Sequence, residues 1–355
     1  MKYGVTSHPW VLNERDCQEM KKLGVKYVRM DFSWGDIEPT KGAFNFSQYD
    51  QFVQWANANG LEIIALLMYC PGWLAPTEVI PTGTDFDTFV TEFGNFVYAT
   101  VQHYSGLIKY FEIWNEPNLP GSWNDPETTL RHVGVGLPKN GGYAITKYVR
   151  FLQESYVRAK QANPNCVIIS GGISNDTEYL EFMYQNGAGG YFDYFGSHPY
   201  FWHNYLTSKN YDPDFVEWDH AYQQGFPKLA LLRDIMVSHG DSLKGIFITE
   251  LGVGDDVEYP EPDIEAMQAD RLHRVFEKID HDPGYPFVEG VCWHTFRQDN
   301  GEYGLLREDY TPRLMYYTYQ QIMPTPTPLI AGFPIWVIPV ALLGAGVLYL
   351  ATKKK

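Results

Sequence analysis

Apolar positions follow two rhythms along this chain. Short, nearly unbroken apolar runs recur eight times before Met323: Tyr3 to Thr6, Tyr27 to Met30, Leu61 to Met68, Ile108 to Ile113, Val167 to Ser170, Phe192 to Gly196, Gly245 to Thr249 and Val288 to Trp293. Runs of this length with few charges are the pattern of parallel strands buried on both faces. Segments with helical periodicity lie between them. Ser47 precedes YDQFVQWANANG, whose apolar positions share one face and whose Gly60 can supply a left-handed stop. DFDTFVTEFGNFVYATVQHYSG ends at Gly106 in the same way, and GYAITKYVRFLQESYVRAKQANP carries an amphipathic stripe that stops before Pro164. Asp263 opens DIEAMQADRLHRVFEKI, and Pro312 opens PRLMYYTYQQIM. Strand followed by helix, eight times over, predicts an α/β fold: a closed (β/α)8 (TIM) barrel over residues 1–323.

The tail reads differently. Beyond the Pro/Thr linker at 324–328, residues 329–352 hold no charge, and their length suffices to span a hydrocarbon core, which takes about 20 helical residues. This predicts a C-terminal single transmembrane helix over 329–352, kinked at Pro334 and Pro339, with Lys353, Lys354 and Lys355 as a basic cytoplasmic tail. The barrel is then expected outside the cytoplasm, held to the membrane by that helix. The first strand run starts almost at Met1, which leaves no room for a signal peptide. A translocated barrel therefore needs an upstream signal missing from this start; the alternative is a tail-anchored protein with a cytoplasmic barrel.

Composition narrows the chemistry. Aromatic residues make up 16% of the chain, with 10 Trp, 26 Tyr and 21 Phe, enough both for a core and for flat faces that stack on sugar rings. A net charge of −16 without a basic run before the final lysines excludes a phosphate-tracking surface, so no nucleic-acid partner is expected. Cys17, Cys70, Cys166 and Cys292 are widely spaced with no CxxC pair, which gives no support to a metal site.

In a parallel barrel, catalytic groups sit where strands end and the following loops begin. The fourth run reads KYFEIWNEPN and places Glu116 just past its end; the seventh reads GIFITELGVG and places Glu250 at its end. Strands four and seven lie on roughly opposite sides of the ring, so the two carboxylates can face each other across the mouth. Glycosidic bond cleavage uses such a pair, one carboxyl protonated and one ionised, with roles set by surroundings. Arg29 in YVRMDFSW and Tyr200 in YFGSHPY are placed to keep Glu250 ionised, and Asn115 to bond a sugar 2-hydroxyl. His198 can orient the acid. Glu112, inside the fourth run, reads as an interior group paired with a base. Trp34, Trp73, Trp123, Trp202 and Trp293 follow or close strand runs and are candidate sugar platforms, although any single aromatic is more often core. The insertion from Phe201 to Gly225 is expected to build one wall of the mouth.

Taken together, WNEPN after strand four, ITELG at strand seven, VRMDFSW after strand two, SHPY after strand six and the Trp293 segment resemble clan A of the glycoside hydrolases, over most of residues 1–323. MYCPGWLAP, NEPN followed by Trp123, and the GYAITKYVRFLQESYVRAKQANPNCVIISGG stretch are most similar to family 39, a group that includes β-xylosidases. Family 5 is the second resemblance, through SHPY. It usually carries a His near the end of strand three, where this chain has Tyr69 and Cys70. The resemblance implies Glu116 as acid/base, Glu250 as nucleophile, Asn115 as the 2-hydroxyl contact, and retention of configuration on a β-linked glycoside, oligosaccharide or polysaccharide. No cofactor is implied. The alternatives are a transglycosylase using the same residues and a membrane-tethered carbohydrate-binding barrel without turnover.

Overall fold

The computed structural model describes residues 3–74, 84–118, 143–174, 176–200, 227–253, 263–281, 285–298 and 304–323. Eight parallel strands close in sequence order: β1 (Tyr3–Thr6), β2 (Tyr27–Ser33), β3 (Glu62–Met68), β4 (Tyr110–Asn115), β5 (Val167–Ser174), β6 (Phe195–His198), β7 (Ile246–Leu251) and β8 (Val288–Trp293), with β8 returning to β1. The predicted barrel is therefore present, and all eight apolar runs contain or overlap a strand. Helices α1 (Glu14–Leu23), α2 (Trp34–Ile37), α3 (Ser47–Ala58), α4 (Thr84–His103), α5 (Tyr143–Ala162), α6 (Thr177–Gln185), α7 (Pro227–Ser238), α8 (Asp263–His281) and α9 (Leu314–Ile322) lie between and after the strands. Gly60 and Gly106 take the left-handed conformation expected of them, at φ 74° and 83°.

Local chemistry explains the ends. Asn13 caps α1 by accepting from the Arg15 and Asp16 amides, while the Asp16 carboxylate accepts from the Asn13 amide; Gly24 closes the helix at φ 81°. Inside the barrel, Tyr27, Tyr110 and Phe247 meet with ring centroids 5.2 to 6.1 Å apart, over Ile64, Ile169 and Cys292. That apolar floor leaves the polar groups nearer the strand ends as the next layer. Outside it, Trp34, Phe89, Phe93, Phe96, Trp114 and Phe151 pack between the strands and helices α2, α4 and α5. Each such buried ring contributes on the order of 1.5–3 kcal/mol.

Two irregularities aim the site. Along β4, Tyr110 and Glu112 point into the barrel, and strict alternation would send Trp114 there as well. Instead Trp114 takes φ 69° and turns outward onto Phe93 and Phe151, which gives the inward position to Asn115. On β7, Ile248 pairs with Val291 and Leu251 with Trp293, so three steps on one strand match two on the other. This bulge lets the neighbouring side chains of Thr249 and Glu250 both face inward.

One buried cation sits apart from these. Lys228, 5% exposed near the start of α7, is pushed down to about 8 by burial, against the weaker pull of Asp176 and Glu178. Burial also raises the Asp176 carboxyl. A lysine titrates at about 10.4 when unfolded, so the folded state binds fewer protons between these values, and below pH 8 the group costs stability. Replacing Lys228 by Met is expected to stabilise the fold by about 1–3 kcal/mol at pH 7. The gain should shrink towards pH 10, as read by thermal unfolding at both pH values.

The predicted linker at 324–328, membrane helix at 329–352 and basic tail lie outside the described residues. Among the described residues, no helix is long and apolar enough to cross a membrane.

Candidate active site

Arg29 is the centre of the site. It is buried on β2, and its Nε and Nη2 donate to Oε2 and Oε1 of the fully buried Glu112 at 2.6 and 3.2 Å. The interior ion pair expected for Glu112 is this one. Nη2 also donates to Asn115 Oδ1 at 2.7 Å, and Nη1 to Glu250 Oε2 at 2.9 Å. One guanidinium thus joins β2 to β4 and β7. Its charge is reinforced: burial lowers its affinity for the proton, but Glu112 and Glu250 together hold it above the usual arginine range. Because a guanidinium can only donate, Asn115 must present its Oδ1 to Arg29, which turns its amide NH2 the other way.

The two glutamates have unequal surroundings. Glu250 Oε1 accepts from the Tyr200 hydroxyl at 2.5 Å while Oε2 accepts from Arg29. Burial pushes this carboxyl up, but His294 and His198 when charged, Arg29 and the Tyr200 hydroxyl outweigh it and hold it well below the usual carboxylate range. Glu116 instead lies 2.9 Å from His198 Nδ1, through its Oε1. Its backbone has φ 42°, a left-handed conformation costly for a residue with a Cβ, two positions after Trp114 in the same region. Side-chain exposures of 18% for Glu116 and 17% for Glu250, against 0% for Glu112 and His198, leave the two predicted acids partly open to solvent while the groups behind them are sealed.

The structure thus brings Glu116, Glu250, Arg29, Asn115, His198 and Tyr200 together. It does not bring Trp34 or Trp293 with them. Trp293 is fully buried, edge-on to Phe276 of α8 with centroids 6.2 Å apart, and cannot reach a ligand at the mouth. Strand alternation sends it outward, and the next residue, His294, faces in: its Nδ1 lies 2.8 Å from Thr6 Oγ1. Trp34 is likewise core, donating to Glu38 Oε2 at 2.6 Å and stacked on Phe96. Trp73 is half-buried edge-on against Trp34, its indole N–H donating to the Glu38 carbonyl at 2.7 Å. Trp123, Trp202 and the 201–225 insertion lie outside the described residues.

Sequence reasoning missed four polar groups. His8, just after β1, bonds Asp31 Oδ2 at 3.0 Å and stacks on the exposed Trp10 with centroids 4.4 Å apart. His294 follows its apolar run directly and His8 follows one residue later, after Ser7, the signal that found the glutamates. Thr249 bonds Glu112 and His198, a role invisible without the bulge. Among the described residues, no group of three His, Cys, Asp or Glu side chains is arranged to hold a metal ion.

Against known proteins, a glycoside hydrolase family 42 model, described as β-galactosidase, matches residues 6–78, a stretch that ends before either glutamate. A β-galactosidase of Halorubrum lacusprofundi is 32% identical over 102 residues, 27% of this chain and 15% of that protein. Among solved structures, a family 39 glycoside hydrolase from the gut symbiont Bacteroides cellulosilyticus superposes with a TM-score of 0.71 at 21% identity, covering 91% of this chain and 63% of the other. The chain has the barrel fold of the clan A glycoside hydrolases. A β-galactosidase from Marinomonas ef1 shares this clan A fold at a TM-score of 0.63 and 16% identity, over 91% of this chain and 59% of its own. The resemblance to clan A, with family 39 among the similar structures, therefore holds at the level of the barrel. The chain spans about a seventh of the Halorubrum relative and under two thirds of either solved chain.

Proposed function

We propose that the protein is a retaining glycoside hydrolase that cleaves a β-linked glycoside by double displacement. The observation that carries this reading is the contrast between the carboxylates. Glu250, ringed by Arg29 and Tyr200, is kept ionised and suits the nucleophile; Glu116, bonded to the imidazole of His198, suits the acid/base. In the first step a Glu250 oxygen bonds to the anomeric carbon as the glycosidic C–O bond breaks, and Glu116 gives its proton to the leaving oxygen. In the second, water attacks the anomeric carbon, its proton passes to Glu116, and the bond to Glu250 breaks. The NH2 of Asn115 donates to the sugar 2-hydroxyl, an interaction that strengthens in the transition state.

Relatives described as β-galactosidases make aryl β-galactosides the first substrates to try, with aryl β-xylosides next, on the strength of the family 39 likeness. In the same proposal, the uncharged 329–352 segment tethers the barrel to a membrane, with the barrel outside the cytoplasm. The deciding measurement is proton NMR of the first-formed sugar from a panel of aryl β-glycosides. The β anomer is expected to appear first, with the α anomer following only by mutarotation. An α anomer appearing first would sink the double displacement, and no turnover on any glycoside would sink the hydrolase itself.

A further inference from the structure

The polar chain behind Glu116 fixes more than a position. Glu112, held by two bonds from Arg29, is ionised and can only accept. Its Oε1 lies 2.8 Å from Thr249 Oγ1, so the single hydroxyl proton of Thr249 points at Glu112. The same Oγ1 lies 3.0 Å from His198 Nε2, and with its own proton engaged it can only accept there. His198 must therefore carry a proton on Nε2, which leaves Nδ1 facing Glu116 Oε1 at 2.9 Å. A neutral ring in this tautomer has a lone pair on Nδ1, and its partner across that distance must be a donor. The only proton available to that contact is the one on the Glu116 carboxyl. The neutral arrangement also separates no charge around a ring that is fully buried.

The backbone is built to hold this ring. A Cβ placed on Gly172 would lie 2.0 Å from His198 Nε2, so only glycine leaves room for the imidazole. The Gly172 amide also donates to Glu112 Oε1 at 3.0 Å. Groups facing His198 come from every neighbouring strand: Glu112 and Glu116 from β4 and its end, Thr249 and Glu250 from β7, Tyr200 from beyond β6, and Arg29 from β2 behind Glu112.

We propose that Thr249 is a positioning residue that locks His198 in the Nε2-protonated tautomer, so that Nδ1 accepts from Glu116 and keeps the acid loaded until a leaving oxygen arrives. Once the proton has gone, lone pair faces carboxylate. That repulsion favours taking a proton from the water of the second step, so one tautomer serves both halves of the reaction. The kinetic part of this proposal rests on the hydrolase reading above; the tautomer does not.

The test joins two measurements on the full chain. In Thr249→Val, Nε2 loses its acceptor, the ring can turn its N–H to Nδ1, and a donor then stabilises the Glu116 carboxylate. With a phenyl β-glycoside, whose leaving group needs the acid, kcat/KM is expected to fall about tenfold or more, and its alkaline limb to move about one pH unit lower. With a dinitrophenyl glycoside, which leaves unaided, kcat/KM should change less than about threefold. Thr249→Ser, which restores the hydroxyl, should recover both. Separately, nitrogen NMR of histidine-labelled wild type, with His198 assigned by its loss in His198→Asn, is expected to show a protonated Nε2 and an unprotonated Nδ1 at neutral pH. Equal losses on both substrates, an unmoved alkaline limb, or a wild-type ring protonated on Nδ1 would each overturn the proposal. A wild type inert on every aryl glycoside would refute the hydrolase reading and leave the nitrogen shifts to decide the tautomer.

Discussion

Glu250→Ala is expected to lose about 10⁵-fold in kcat on every substrate, roughly 7 kcal/mol of transition-state stabilisation. The size follows from the role: among the described residues, the other carboxylates of the cluster are Glu112, buried against Arg29, and Glu116, which the mechanism uses for the proton. The variant should still fold, because Arg29 keeps its two bonds to Glu112 and its bond to Asn115, so no buried charge is stranded. Truncation also opens a small space beside a guanidinium and a phenolic hydroxyl, which suits a small anion. Azide added to Glu250→Ala with an activated aryl β-glycoside is therefore expected to restore turnover and yield the α-glycosyl azide, the product of a single displacement. Activity within tenfold of wild type would remove Glu250 from the mechanism. A β-configured azide would place the nucleophile elsewhere.

Glu116→Ala is expected to show a loss that depends on the substrate. General acid catalysis is worth about 10²–10⁴-fold, so a substrate with a poor leaving group should lose that much in kcat/KM while a dinitrophenyl glycoside loses little. The second step then lacks its base. Dinitrophenyl glycosides should give a burst of phenol followed by slow turnover, with a glycosyl-enzyme visible by mass spectrometry on the peptide that holds Glu250. Azide should speed this variant too, now giving the β-glycosyl azide, because a second displacement follows the first. His198 keeps its bond to Thr249, so the surrounding site is expected to stay in place. A uniform loss across leaving groups would be the result that falsifies the acid/base role.

The barrel was legible because its strands are marked twice, by apolar runs and by the helical rhythm between them. Glu116 and Glu250 were legible because a polar residue at the end of an apolar run stands out, and Glu112 because a carboxylate inside one does. The failures share a cause: which way a side chain points depends on geometry that composition does not record. Trp293 and His294 differ by one position and by a whole face of the sheet, and choosing the aromatic over the imidazole chose the wrong face. Trp114 turns outward through a left-handed φ that a tryptophan does not advertise, since glycine is the usual marker of that region. The bulge in β7 likewise has no sequence signal, so Thr249 read as one more apolar-run residue. Trp34 follows its strand as a platform would, but the capped turn of α2 folds it under Phe93 and Phe96.

The reach of Arg29 also bears on how the chain becomes competent during synthesis. Its bonds to Glu112, Asn115 and Glu250 span 83, 86 and 221 residues of sequence. A nascent chain that has emerged only as far as β4 already holds Arg29, Glu112 and Asn115, but the attacking carboxylate arrives with β7, and contacts of such separation form late. The attacking carboxylate thus joins the site one strand before β8 closes the ring onto β1. In the proposed mechanism, a chain halted before β7 carries the proton donor without its counterpart, so premature products of synthesis are silent towards glycans.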